Sequence, residues 1–279
     1  MCALSLILAA FVAVMMSGCS TNGAGAEDQV IVTGSTTLLP IAEQAAEAFQ
    51  EANPGTSVLV SGLGSSAGIE AVTAGTSDIG TSSRDLKPEE GDDGLIDIPV
   101  AFDGIAVIVN PRNPVDELTT DQLRAIFSGE VTNWREVGGE DRSIDLVNRD
   151  EASGTREAFK KIAMGDARFD VSAVVLPGTG QVRDVVSRSA GAVGYISVGF
   201  VAPRFASTRV KALVVDGVTP SEETVANQEY PIARTLHFFT KGEASVLSAR
   251  YIDFVLSEEI QKGVVVDAGF VPVSAREAK

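Results

Sequence analysis

Three separated stretches carry the residue types that hold a small oxyanion: Gly34-Ser35-Thr36-Thr37-Leu38-Leu39-Pro40, Gly64-Ser65-Ser66-Ala67-Gly68 and Arg149-Asp150-Glu151-Ala152-Ser153-Gly154-Thr155. Each follows a strand-like run, is rich in hydroxyls and Gly, and leads into a helix-like run. The start of a helix offers unpaired backbone N–H groups and a partial positive charge, so anions settle there. Thr and Ser hydroxyls add neutral donors, and Arg149 adds a guanidinium that grips an anion with two parallel hydrogen bonds. One such turn is an ordinary helix start. Three of them, with one Arg, describe a single site.

The elements that position these loops alternate. Val30 to Val32 and Ser57 to Ser61 are predicted strands. A helix runs from Pro40, through Ile41, Ala45 and Phe49, to the stop at Asn53-Pro54. A short helix through Ile69 and Val72 and a brief strand at Asp78 to Gly80 lead to Thr81-Ser82-Ser83-Arg84. Leu95 to Asn110 is strongly strand-like, and Asn110-Pro111-Arg112-Asn113-Pro114 is the best break in the chain. Beyond it come helices at 120–127, 154–163 and 181–188, strands at 144–148, 194–196, 210–215 and 236–239, and an amphipathic helix at 245–256. Strand and helix in alternation predict an α/β fold with a parallel or mixed sheet.

The chain has 279 residues and a formal net charge of −16, which disfavours nucleic acid and anionic membrane surfaces as partners. Repulsion of an anion at long range is damped by salt beyond about 8–10 Å, so binding depends on local donors. Ala3 to Met16 is almost unbroken apolar, the size of a signal-peptide core, and ends in Met16-Ser17-Gly18-Cys19. Small residues before a Cys resemble the lipobox of bacterial lipoproteins, although no Lys or Arg precedes the apolar run. Residues 1–19 are therefore expected to be a signal peptide with Cys19 lipidated, and 20–29 a polar tether. Cys2 and Cys19 are the only cysteines, so the domain itself relies on no disulfide. With one His and scattered carboxylates, no metal site and no cofactor site is expected.

Two motifs point elsewhere. Gly64-Ser65-Ser66-Ala67-Gly68 satisfies the G-x-S-x-G pattern of a hydrolase nucleophile, for which His237, the only His, would have to serve as base. It lies in the strand-like run Leu236 to Phe239. Gly62-Leu63-Gly64-Ser65-Ser66-Ala67 fits a dinucleotide fingerprint, which explains none of the other loops.

Together the loops resemble the phosphate-binding proteins of ABC importers, the PstS family, over nearly the whole chain from Val30 to Val273. Four further segments carry that resemblance: Ile126-Phe127-Ser128-Gly129 with Asn133-Trp134, Gly191 to Tyr195, Tyr230-Pro231-Ile232-Ala233-Arg234, and Gly269-Phe270-Val271-Pro272. The resemblance implies a type II periplasmic-binding fold, two α/β lobes joined by crossing strands, with the ligand between them. Lobe one would comprise residues 28–108 plus 236–279, and lobe two 109–235. It implies a non-enzymatic extracytoplasmic receptor, expected to be monomeric and lipid-anchored, that hands inorganic phosphate to an ABC permease. Phosphate would meet the Thr36 and Thr37 hydroxyls and the Leu38 N–H, with Ser35 beside them. It would also meet Ser65, the Arg149 clamp, and Ser153, Gly154 and Thr155. Where some members place a carboxylate that accepts a phosphate proton, Ser83 stands, followed by Arg84. Arg84 would either reach the anion or bridge the lobes, and Asp103 would either replace the lost acceptor or mark a turn before Gly104. Loss of that acceptor leaves another tetrahedral oxyanion, sulfate or molybdate, as the alternative ligand. A serine hydrolase using Ser65 and His237 is the more distant one.

Overall fold

Strand–helix alternation builds a mixed ten-stranded sheet. The computed structural model describes residues 29–201 and 209–277. The expected signal peptide with Cys19, and the tether up to residue 28, lie outside the described residues. β1 (Gln29–Gly34) runs parallel to both its neighbours, β2 (Ser57–Gly62) and β3 (Ile79–Ser82). Between them α1 (Leu39–Ala52), with Pro40 in its first turn, buries Ile41, Ala45 and Phe49. The shorter α2 (Ser65–Thr73) buries Ile69 and Val72.

One strand carries the chain out of this lobe. β4 (Leu95–Val109) pairs antiparallel with β11 (Ala233–Lys241) along residues 95–104, then with β8 (Ala192–Ser197) along 105–109. Ile105 to Val109 is covered on both faces and fully buried, which is why the run is continuously apolar. β6 (Asp145–Arg149) and β7 (Val174–Leu176) extend the second lobe in parallel beside β8. β11 brings the chain back, pairing with β3 as well as β4, and shifts register between Leu236 and His237. Two strands thus cross between two packed units.

Two apolar clusters form the core: the first runs from Val32 and Phe49 through β4 to Val147, Val186 and Ile196 of the second unit, and the second centres on Phe127, Phe159 and Tyr195. In the first, Phe49 meets Tyr251 of α7 (Val246–Leu256) edge to face at 5.5 Å. In the second, Phe159 stacks on Tyr195 at 4.2 Å, Phe127 packs against both, and Trp134 donates to the Gly191 carbonyl at 2.9 Å. The bulky residues of the family-like signatures are therefore packing residues.

Two elements differ from expectation. The predicted strand 210–215 is split into β9 (Lys211–Ala212), on β4, and β10 (Val214–Val215), on β5 (Glu117–Leu118). Leu213, between them, is fully buried and donates its N–H to Val107, so the chain turns from one partner to the other within one residue. The helix predicted over 154–163 is α4 (Gly154–Phe159), which widens into a π-turn at Lys160–Met164.

Candidate functional site

The loops after β1, β2, β3 and β6 all end at the seam between the lobes. Gly64 adopts φ 101°, and a Cβ there would stand 2.7 Å from the Ala152 carbonyl of the opposite lobe. Ser66 N–H donates to that same carbonyl at 3.1 Å. Across the seam, a Cβ on Gly154 would come within 2.3 Å of Ser65 Oγ and 2.9 Å of Ser83 Oγ. Only residues without side chains let the two backbones approach this closely.

Arg149, at the end of β6, is 2% exposed. It donates to the carbonyls of Leu176 and Pro177 at 3.2 and 2.8 Å, which fix the guanidinium plane. Its other contacts are hydroxyls: Thr179 of its own lobe at 3.3 Å and Thr36 of the other at 3.2 Å. Thr36 and Thr179 also lie 3.2 Å apart. Beside them Thr37 Oγ1 meets Thr155 Oγ1 at 3.1 Å, again across the seam. Among the described residues Arg149 makes no ion pair with a carboxylate. Burial pushes its guanidinium down to about 10, so it stays charged at neutral pH among neutral oxygens. A buried cation so surrounded favours an anion strongly.

A second guanidinium reaches this cluster. Arg234, on β11, donates to Thr155 Oγ1 at 2.9 Å, to the Ser83 carbonyl at 3.1 Å, and more weakly to Thr37 Oγ1 at 3.5 Å. Its Nε and Nη2 both bind Asp103 Oδ2, at 3.0 and 2.7 Å. Asp103 is buried inside β4, and its other oxygen takes the Ser197 hydroxyl at 2.7 Å. Burial pushes the Asp103 carboxyl up and the Arg234 guanidinium down, while each draws the other back towards its charged form. An Arg does not surrender its proton at ordinary pH, so the pair is ionic.

The structure therefore sorts the expected residues. Thr36, Thr37, Ser65, Ser83, Arg149, Gly154 and Thr155 are brought together. Ser65 Oγ lies 3.3 Å from Ser83 Oγ and accepts the Ser83 N–H at 3.1 Å. Gly154 and Thr155 open α4, where helices leave N–H groups without internal partners. Ser153 caps that helix by accepting from Arg156 N–H, which leaves its own proton to donate. Ser35 is a turn residue: it accepts the Thr37 N–H, and its own N–H binds Thr81. The Leu38 N–H is turned onto the Ser35 carbonyl at 3.2 Å. Arg84 does not face the cluster; its guanidinium is taken by Glu90 and Glu157. Asp103 is neither a turn residue nor a free acceptor, because Arg234 and Ser197 occupy its oxygens.

Sequence reasoning missed Arg234 and Thr179. Thr179 had a signal, since Pro177-Gly178-Thr179-Gly180 repeats the Gly-and-hydroxyl signature just before a helix. The hydrolase pair is not assembled: Ser65 bonds Ser83, whereas His237 Nδ1 faces Asp97 at 2.7 Å. The larger cavities of the seam, about 780 and 950 Å³, lie beside the cluster rather than on it. A tetrahedral anion needs converging donors more than volume, and the donors converge between Arg149 and Arg234.

Two lobes joined by crossing strands, with a buried cation and hydroxyls from both lobes meeting at the seam, define a protein of the two-lobed periplasmic-binding type. The chain matches the PBP superfamily domain over residues 20–259. It is 37% identical to the phosphate-binding protein PstS of Bacillus subtilis over 251 residues, 89% of this chain and 82% of that one. A phosphate-bound substrate-binding protein of a putative phosphate ABC transporter from Clostridium perfringens superposes with a TM-score of 0.83 at 39% identity, covering 88% of this chain and 99% of that one. An ABC-type phosphate transport receptor from Vibrio cholerae gives a TM-score of 0.73 at 33% identity, covering 87% and 99%. The chain belongs to the PstS family of phosphate-binding proteins.

Proposed function

We propose that this chain captures inorganic phosphate outside the cytoplasm and delivers it to an ABC permease, held at the membrane by a lipid on Cys19. The observation that carries the ligand assignment is Arg149: a buried guanidinium, free of any carboxylate partner among the described residues, with its donors aimed at hydroxyls of both lobes. Phosphate would take these donors, the hydroxyls of Thr37, Ser65 and Thr155, and the N–H groups opening α4. Every one is a donor to the anion, and contacts from both lobes reward closure. The relatives named above are binding proteins or receptors.

Selectivity is where this site has its own character. Ser83 replaces a carboxylate, and Asp103 is already spent on Arg234. The acceptor for a phosphate proton must then be a hydroxyl oxygen, which can equally donate. Discrimination against sulfate is expected to be weaker than a fixed carboxylate would give, because no acceptor is left stranded when the proton is missing. The test is isothermal titration of the purified, ligand-stripped protein with phosphate, then sulfate, at two pH values. Phosphate binding is expected, with sulfate competing measurably. Equal affinity for the two would make this a general binder of tetrahedral oxyanions, and no binding of either would refute the assignment.

A second prediction concerns closure. Gly154→Ala places a methyl against Ser65 and Ser83. Overpacking of this kind costs about 1–3 kcal/mol, so the phosphate Kd should rise about fivefold to 150-fold.

A further inference from the structure

The seam carries a charged cluster that the anion site does not use. Arg84 follows β3 in lobe one, and its side chain is 5% exposed. Glu90 of the same lobe binds both of its terminal nitrogens, at 2.7 and 2.8 Å, and is held in place by the Lys87 N–H. From the opposite lobe, Glu157 of α4 brings one oxygen within 2.6 Å of Arg84 Nε and the other within 2.8 Å of Lys87 Nζ. A further cross-lobe pair, Lys161 with Asp85 at 3.0 Å, lies on the same edge.

Within the contact set, lobe one alone sets two cations, Arg84 and Lys87, against one carboxylate, Glu90. Glu157 completes the balance, and it can do so only when the lobes are together. It also sits on the helix whose first residues, Gly154 and Thr155, belong to the anion site. Lys87 and Glu157 line both seam cavities. Docking of α4 at the anion and docking of Glu157 at Arg84 are therefore one rigid movement.

We propose that Glu157 is the latch of the closed state: an interlobe ion bridge to Arg84 and Lys87 that slows release of the ligand without touching it. The proposal rests on the binding-protein reading above. An interaction present only in the closed form adds its free energy to closure, and so to the lifetime of the complex. Solvated pairs are weak, but this one includes a buried guanidinium whose second partner arrives only on closure. The same pairing predicts that release accelerates with salt, which screens the half-exposed Lys87 side of the bridge.

Glu157→Gln keeps the shape and removes the charge. In stopped-flow dissociation it is expected to release phosphate about tenfold faster than wild type. Association should stay within about twofold, and the salt dependence of release should be weaker than in wild type, the exposed Lys161–Asp85 pair keeping a share of it. Lys87→Gln, a change at a half-exposed side chain, should accelerate release in the same direction by a smaller factor. Wild-type release rate and salt dependence in a folded Glu157→Gln protein would overturn the latch. Should wild type bind no phosphate at all, the functional reading fails separately. The latch is then judged by small-angle scattering of the ligand-free proteins: a larger radius of gyration in Glu157→Gln supports it, and an unchanged one refutes it.

Discussion

Arg149→Ala is expected to lose phosphate binding by roughly 150-fold to 5,000-fold. That range is what about 3–5 kcal/mol represents when one partner of a buried, hydrogen-bonded charge pair is removed. The guanidinium contacts hydroxyls of both lobes, Thr36 at 3.2 Å and Thr179 at 3.3 Å. Stability should respond differently. Removing the side chain leaves the Pro177 carbonyl without the donor that Arg149 gives it, whereas the Leu176 carbonyl keeps the Asp150 N–H, and it also removes a buried cation that lacks a carboxylate partner among the described residues. These oppose, so the ligand-free melting temperature should move by only a few degrees while the shift on adding phosphate disappears. Arg149→Lys should fall between, since an ammonium keeps the charge and loses the fork. Titration calorimetry together with thermal melts at zero and saturating phosphate checks all three statements. A variant that still binds within tenfold of wild type would remove Arg149 from the site.

Arg234→Ala should injure the fold as well as the site. It leaves Asp103 buried with only neutral partners, the Ser197 hydroxyl and the Gly104 N–H, a loss of about 3–5 kcal/mol. In a chain of this size that is a fall of about 6–20 °C in melting temperature. Its pH dependence has a definite sign. Burial already raises the Asp103 carboxyl, and without Arg234, which pulls it down, it rises further. Above the ordinary carboxylate value of 3.8, the folded variant then holds a proton that the unfolded chain has given up. Its stability relative to wild type therefore improves as pH falls from neutral towards that value. A deficit that widened on acidification would contradict an ionised Asp103. The double variant Asp103→Leu, Arg234→Met separates the two roles. Replacing both members of a buried pair by apolar groups is near neutral for stability, so the fold should recover. Binding should not, because Thr37 and Thr155 lose the cation that lies against them.

Much of this arrangement was legible in the sequence because it is written locally. Each anion loop is a run of hydroxyls and Gly just before a helix, and the donors it provides are set by the helix start itself. The long strand before the Asn110 to Pro114 break was legible too, since burial on both faces demands an unbroken apolar run. Arg84 shows the limit: Ser83 and Arg84 are adjacent in sequence, yet Ser83 turns to Ser65 in the cluster while Arg84 turns outward to Glu157. Leu38 shows another, because its N–H suits an anion in principle but closes the turn onto Ser35 in fact.

The sequence by itself determined the class of fold, the loops that open on the seam, and the place of Arg149 at a strand end beside them. These follow from interactions spanning a few residues, where hydrophobic period, helix starts and turn residues act. Only the tertiary structure decided that Arg234 stands with Arg149, that Asp103 is spent on Arg234 rather than free for a proton, and that Arg84 pairs with Glu90 and Glu157 rather than turning into the cluster. Arg234 lies near the start of β11, 131 residues from Asp103, and Glu157 faces Arg84 from the other lobe. Which charges neutralise one another in a buried seam depends on how two lobes close, and no local pattern along the chain encodes that distance.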